Sequence, residues 1–210
     1  MVKQLIISVR VTLITLIIVS GLYPLVIWGI AQAAFNKQAN GDLVRNASGQ
    51  IVGSELLGQN FTKAQYFQPR PSAAGAGYDP TESGGTNLGP TSDKLINGTP
   101  KTINGKPNPS YFEGVKDLAA DYRATNNLPA NTPVPVDAVT RSASGLDPDI
   151  SPENAALQAA RVAQARGIDV ATVNSLIAEH TEGRDLGFIG EPRVNVLMLN
   201  LALDAKYPVK

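Results

Sequence analysis

One histidine, three spaced carboxylates, two glycine-rich turns and a few helical amides are the groups in this sequence whose types and spacing could do chemistry. His180 lies beside Glu179 and Glu182 but has no HExxH partner, so it does not make a zinc hydrolase. A histidine at the end of a helix fits a surface role, where the dipole favours its cation. Asp147, Asp149 and Glu153 resemble a calcium loop, yet Pro152 occupies the place of the turn glycine and Gln158 that of the bidentate Glu. Helix capping explains these acids better. The run from Gly98 to Pro107 imitates a phosphate-binding loop with one residue too many, and Pro107 replaces the magnesium-binding Ser or Thr.

Two constellations keep more than one reading. The backbone N–H groups of Ser83-Gly84-Gly85-Thr86-Asn87 could form an anion nest, and the run weakly imitates the glycine-rich signature loop of ABC ATPases. The plainer reading is a turn in which Gly84 and Gly85 let two backbones approach. Gln158 and Arg161 share a helix face, with Asn195 and Asn200 further on. They could grip a polar ligand or a partner loop, or hold the domain together by internal hydrogen bonds. No nucleophile–base pair, metal cluster or phosphate loop survives, so the sequence offers no catalytic residue and no metal site. It contains no Cys, which removes disulfides, thiolate zinc, iron–sulfur clusters and a Cys nucleophile.

These groups are positioned by a chain of 210 residues with 18 basic and 18 acidic side chains. That balance argues against a nucleic-acid binder, which needs a basic face. From Val11 to Ala31 run 21 uncharged residues, 15 of them apolar. As a helix they span about 31 Å, matching a bilayer core. Arg10 can snorkel at one end, and Trp28 lies near the other interface. Pro24, after Gly21, should kink or loosen the span, while Gly21, Gly29 and Ala33 would let a neighbouring helix approach closely. Ala31-Gln32-Ala33 imitates a signal-peptidase site, but the apolar run is longer than a signal core. The expected organisation is a tail over 1–10, a transmembrane helix over 11–35 and a soluble domain over 36–210. Lys3 and Arg10 against Lys37 and Arg45 tie the charge count. The acid-free tail favours a cytoplasmic N-terminus and an external domain.

The soluble part holds 16 basic and 18 acidic groups, too small an excess to attract cations. Twelve of the 15 prolines fall between Pro69 and Pro152, which predicts loops, turns and short strands there. Leu43-Val44 and Ile51-Val52 flank a glycine-closed turn and predict a hairpin. Phe112, Val115, Leu118 and Tyr122 predict a helix about Tyr111–Thr125, and Thr132–Val136 an extended piece. Ser151-Pro152-Glu153 opens a helix that Gly167 can close. Asp169 caps a second, carrying Val170, Val173, Leu176 and Ile177. Pro192 opens a third, with Val194, Leu197, Met198 and Leu201 on one face. The fold class is α+β on a single N-terminal transmembrane helix, with a helical C-terminal third.

Blocks in this order carry a resemblance. They are Tyr23-Pro24-Leu25, Leu57-Gly58-Gln59-Asn60-Phe61, Arg70-Pro71-Ser72, Ser83-Gly84-Gly85-Thr86-Asn87-Leu88-Gly89-Pro90, Ser144-Gly145-Leu146-Asp147-Pro148, Gln158, Arg161-Val162-Ala163 and Val194-Asn195-Val196 to Leu199-Asn200. The chain resembles the C subunit of the bacterial potassium-transporting P-type ATPase, the KdpC family. It departs about Ile96–Ser110, which looks like an insertion. The resemblance implies a single-pass inner-membrane protein that is not itself an enzyme. Its implied partners are a channel-like potassium-binding subunit, an ATP-hydrolysing P-type subunit and a small single-span subunit. It also implies a stabiliser of assembly and a catalytic chaperone that raises the ATP affinity of the hydrolysing subunit through a transient complex with ATP. The nucleotide-proximal candidates are then Gln158, Arg161, Gly84 and Gly85, with no stably bound cofactor. An external domain cannot meet cytoplasmic ATP, so the other expectation is a periplasmic cap or scaffold over the potassium-binding subunit.

Overall fold

The computed structural model describes residues 1–46 and 48–209. It divides into two units, Met1–Ser54 and Glu55–Lys210. In the first, one apolar helix runs from Val2 to Ala34. It consists of α1 (Val2–Ile17), a widened turn over Ile18–Leu22 and α2 (Tyr23–Ala34). At about 1.5 Å per residue it is longer than a bilayer core, and Lys3 and Arg10 ride on it. The predicted loosening lies one turn before Pro24. Proline has no N–H to donate and its ring crowds the carbonyl four residues back, so the ladder widens and Tyr23 N–H reaches Ile18 O. A short α3 (Asn36–Ala39) follows, then the predicted hairpin of β1 (Leu43–Arg45) and β2 (Ile51–Ser54), with Leu43 opposite Ser54. Its turn includes residue 47, which lies outside the described residues.

The second unit begins with a long segment that is neither helix nor strand up to α4 (Asp93–Asn97). The presumed insertion folds as a small hairpin, β3 (Thr102–Ile103) against β4 (Lys106–Pro107). Asn104 and Gly105 connect the strands with φ of 52° and 75°, the left-handed pair that a two-residue hairpin turn needs. The imitation of a phosphate loop is therefore a hairpin. Thr99 N donates to Phe112 O at 2.8 Å and Phe112 N to Thr99 Oγ1 at 2.7 Å, closing its base.

Helix α5 (Val115–Thr125) starts four residues later than expected, after Gly114 at its N-cap. Phe112 instead lies beneath the Arg141 guanidinium at 4.5 Å. The extended piece expected over Thr132–Val136 ends at Pro135, which opens α6 (Val136–Val139). Strand β5 (Asp149–Ile150) leads into α7 (Pro152–Arg166). Ser151 Oγ accepts from Asn154 N at 3.1 Å, and Gly167 closes the helix in the left-handed region. Helix α8 (Val170–Glu179) has Asp169 at its N-cap, but the Asp169 side chain makes no cap hydrogen bond. Strand β6 (Thr181–Glu182) follows.

The third helix does not begin at Pro192. Arg193–Asn195 is β7, the middle strand of an antiparallel sheet ordered β5-β7-β6, and α9 (Val196–Lys206) starts after it. Asn195 Oδ1 accepts from Met198 N at 3.1 Å, so a side-chain cap turns strand into helix at that residue. The buried face of α9 is Val196, Leu197, Leu199, Asn200 and Leu203; Met198 and Leu201 are half-buried. Val196, Leu199 and Leu203 join Phe67, Ile150, Val162, Val173, Leu176 and Val194 in the core.

Candidate functional site

Residues 64–68 belong to no helix or strand: a turn over 64–66, with Tyr66 N donating to Lys63 O at 3.1 Å, leads into Phe67 and Gln68, and the rest of this backbone must find partners elsewhere. Side chains of α7 and α9 supply them. Arg161 Nη1 donates to Ala64 O at 2.6 Å and to Tyr66 O at 2.9 Å. Arg166 Nε donates to Gln65 O at 2.7 Å. Asn200 receives Phe67 N at 2.8 Å and donates to Phe67 O at 3.0 Å. Gln158 does the same for Gln68, receiving N–H at 2.7 Å and donating to the carbonyl at 3.0 Å. Two amide side chains thus play the part of a neighbouring strand.

The clamp continues into the interior. Gln158 Nε2 also donates to Asn154 Oδ1 at 2.9 Å, and its Oε1 also accepts from Arg161 Nη2 at 2.8 Å. All four hydrogen-bonding positions of Gln158 are then filled. Arg161 Nε reaches Asn126 Oδ1 at 2.9 Å, and Tyr122 donates to Asn154 Oδ1 at 2.8 Å. Asp137 on α6 accepts from Ser151 N, Ser151 Oγ and Asn154 Nδ2, which seats the start of α7. Gln158 and Arg161 are only 1% and 6% exposed. Burial pulls the Arg161 pKa down and pushes that of Tyr122 up. Among the described residues no buried side-chain N or O lacks a partner, the condition under which a buried polar network is favourable.

The glycine turn lies on a different segment. Gly84 N–H donates to Ser144 O at 2.9 Å and Ser83 Oγ to the same carbonyl at 3.0 Å. A Cβ on Gly85 would stand 2.9 Å from Ala143 O. Opposite them Gly145 has φ +68°, and a Cβ there would be 2.7 Å from both Ala74 N and Gly84 O. Gly84 and Gly85 therefore make the close backbone approach. Gln158 contributes to a cleft of about 400 Å³ that also takes in Phe61, Pro71, Tyr78 and Tyr122; Gly84 and Gly85 do not line it. Glu113, Asp121 and Arg141 line the same cleft. Burial and its hydrogen bond to Asp121 raise the Glu113 pKa.

The carboxylates read as helix caps do other work. Asp147 pairs with Arg70 at 2.6 Å and accepts from Asp149 N at 3.1 Å. Asp149 lies 3.5 Å from Arg193, and burial, reinforced by the Asp147 charge, pushes its carboxyl up to about 6. Glu153 alone lies in the first turn of α7, where Ser151 is the cap. His180 ends α8 with Nδ1 3.0 Å from Leu176 O. In the apolar helix, Cβ positions on Gly21 and Gly29 meet nothing within 4 Å, and Pro24 and Ala33 are exposed.

Sequence reasoning gave no role to Arg70, Arg166 and Asp137: Arg70 and Arg166 reach Asp147, Gln65 and Asp204 far along the chain, and Asp137 reaches Ser151 and Asn154 on the next helix. It also missed the tip at residues 185–189, where Asp185 bridges Ile189 and Leu186 and Phe188 face outward, 83% and 71% exposed.

Comparison with known proteins fits this architecture to one family. Residues 5–205 match the family model described as KdpC, the K+-transporting ATPase c chain. The chain is 50% identical over 202 residues to the potassium-transporting ATPase KdpC subunit of Mycobacterium tuberculosis strain H37Rv, covering 96% of this chain and 98% of that one. It is 47% identical over 207 residues to the subunit of the same name from Koribacter versatilis, covering 99% and 97%. The Caulobacter vibrioides subunit is 52% identical over 186 residues, covering 89% and 85%. A match that takes in the apolar helix, the clamp and the C-terminal sheet together leaves one conclusion: the chain belongs to the KdpC family, the c chain of the potassium-transporting ATPase.

Proposed function

We propose that the chain is a non-catalytic accessory subunit of a high-affinity, ATP-driven potassium import complex and that it acts by protein contact rather than by holding nucleotide. Its partners are the channel-like potassium-binding subunit, the ATP-hydrolysing P-type subunit and the small single-span subunit. The apolar helix fixes it in the inner membrane with the N-terminus in the cytoplasm and the globular part outside. There it stabilises assembly and caps the outer mouth of the potassium-binding subunit. Gly21, Gly29 and Ala33 leave the helix smooth for packing against partner spans. Any rise in ATP affinity of the hydrolysing subunit is then a coupling free energy of about 1–3 kcal/mol carried through the membrane helices.

The observation that carries this reading is the spent hydrogen-bonding capacity of Gln158. All four positions are taken up by Gln68, Asn154 and Arg161. Binding a nucleotide there would break the clamp that satisfies the 64–68 backbone. The rival reading, transient ATP contact by a cytoplasmic domain, draws on the cleft that Gln158 borders. Protease added to intact spheroplasts decides between them. Digestion of residues 55–210 is the expected result; full protection until the membrane is permeabilised contradicts it and restores nucleotide contact.

A further inference from the structure

The hairpin joining β6 to β7 gathers exposed apolar side chains at one tip. Its tip carries three large apolar side chains in the open: Leu186 at 83%, Phe188 at 71% and Ile189 at 49% exposure. Asp185 N and Ile189 N–H close the tip, donating to Ile189 O and Asp185 O at 2.8 and 2.9 Å. Leu186 itself stands at φ +53°, a left-handed conformation that costs a branched residue energy. The backbone thus holds a leucine outward in a conformation that glycine would adopt more cheaply.

The charges at the root of this tip decide what can cover it. Arg184 is taken by Glu191 at 2.6 Å. Arg193 is shared among Glu182 at 2.8 Å, Asp149 at 3.5 Å and Asp185 at 3.6 Å. Four carboxylates surround two guanidiniums, and residues 182–193 contain no Lys and no Trp. A loop that inserts into a bilayer relies on free cations for anionic headgroups and on interfacial Trp. Here both cations are bound to carboxylates, and the remaining negative charge repels such headgroups. The matching surface is a protein pocket, apolar at its floor and neutral or basic at its rim.

We propose that the Leu186–Phe188–Ile189 tip is the anchor by which the globular unit docks into an apolar, basic-rimmed socket on the channel-like potassium-binding subunit. The inference rests on the accessory-subunit reading above and adds the element that makes the contact. Contiguous exposed apolar patches mark contact sites, and in an interface a few buried anchors carry most of the energy while the surrounding contacts exclude water.

The test uses the full-length chain produced together with the transport subunits. A benzoylphenylalanine replacing Phe188 is irradiated in the intact membrane. The expected product is an adduct mapped to an outward-facing segment of the potassium-binding subunit. An adduct to lipid, to a second copy of this chain, or no adduct within an intact complex overturns the proposal and leaves the accessory-subunit reading standing. Failure of the unmodified chain to co-purify with the transport subunits sinks both. In a second arm, Leu186→Ser combined with Phe188→Ser should lower retention of the chain in the purified complex at least about tenfold. The unfolding temperature of the chain should not move, because both side chains are exposed. Val136→Ser, at a residue 73% exposed elsewhere on the unit, should leave retention unchanged; equal retention for all three chains contradicts the assignment.

Discussion

The clamp around residues 64–68 and the tip at residues 185–189 solve opposite problems. In the clamp, polar side chains lie inside and every one is satisfied: Gln158, Arg161 and Asn200 are buried and bonded to backbone 90 or more residues away. At the tip, Leu186 and Phe188 lie mostly outside and Ile189 half outside. Buried polar groups with complete partners are explained by folding. Exposed apolar groups on a strained turn are not, and they point to a surface beyond the chain. Residue type alone suggests the reverse, since amides and guanidiniums look like ligand-binding groups and Leu-Gly-Phe-Ile looks like core.

The comparison is broken most severely by removing its central cation. Arg161→Leu leaves Ala64 O and Tyr66 O without a donor and should cost about 3–5 kcal/mol, read from urea unfolding of the detergent-solubilised chain. A loss below about 1 kcal/mol would show that the clamp is ornamental. Next in size is Gly145→Val. Its Cβ would collide with Ala74 N and Gly84 O at a positive φ, costing about 2–4 kcal/mol by the same measurement.

A smaller, pH-dependent effect arises at Asp149. Its pKa in the folded chain, about 6, lies above the ordinary 3.8, because burial and the Asp147 charge disfavour the carboxylate. Folding therefore takes up a proton between those values. The favourable contribution is complete below about pH 4 and is lost as pH rises through about 6. Asp149 is partly solvated, so about 1–2 kcal/mol is at stake. Asp149→Asn should remove that part of the pH dependence, measured by unfolding at pH 4.5 and pH 7.5; an unchanged slope contradicts it. The smallest effect is expected at the tip, and with the opposite sign. Leu186→Gly should stabilise the chain by about 1 kcal/mol by relieving φ +53°, while weakening its retention in the complex.

How far the sequence could be read depended on the range of the interactions. Helix α7 was legible at both ends because Ser151, Pro152 and Gly167 act on their own neighbours. The long apolar helix and its loosened turn before Pro24 were legible for the same reason. Strand β7 was not. Three residues carry no period of their own, and Val194 is buried only because β5 and β6 flank it. Asn195, one residue further, marked the true start of the last helix. The small hairpin at Thr102–Pro107 had an audible signal in Asn104-Gly105 that the resemblance to a phosphate loop masked. Gln158 and Arg161 stood out by type, but their role was set by a strip of backbone far along the chain. The pairing of Asp147 with Arg70 spans a similar distance.

The measurement that tests the account most directly is made on Gln158→Leu in the assembled complex, recording both unfolding temperature and the ATP concentration for half-maximal turnover. Gln158 bonds to Gln68, Asn154 and Arg161. Their loss should lower the unfolding temperature by about 5–10 °C and leave the ATP requirement of the complexes that remain assembled unchanged. An ATP requirement raised tenfold at an unaltered unfolding temperature would contradict the account and make Gln158 a nucleotide contact.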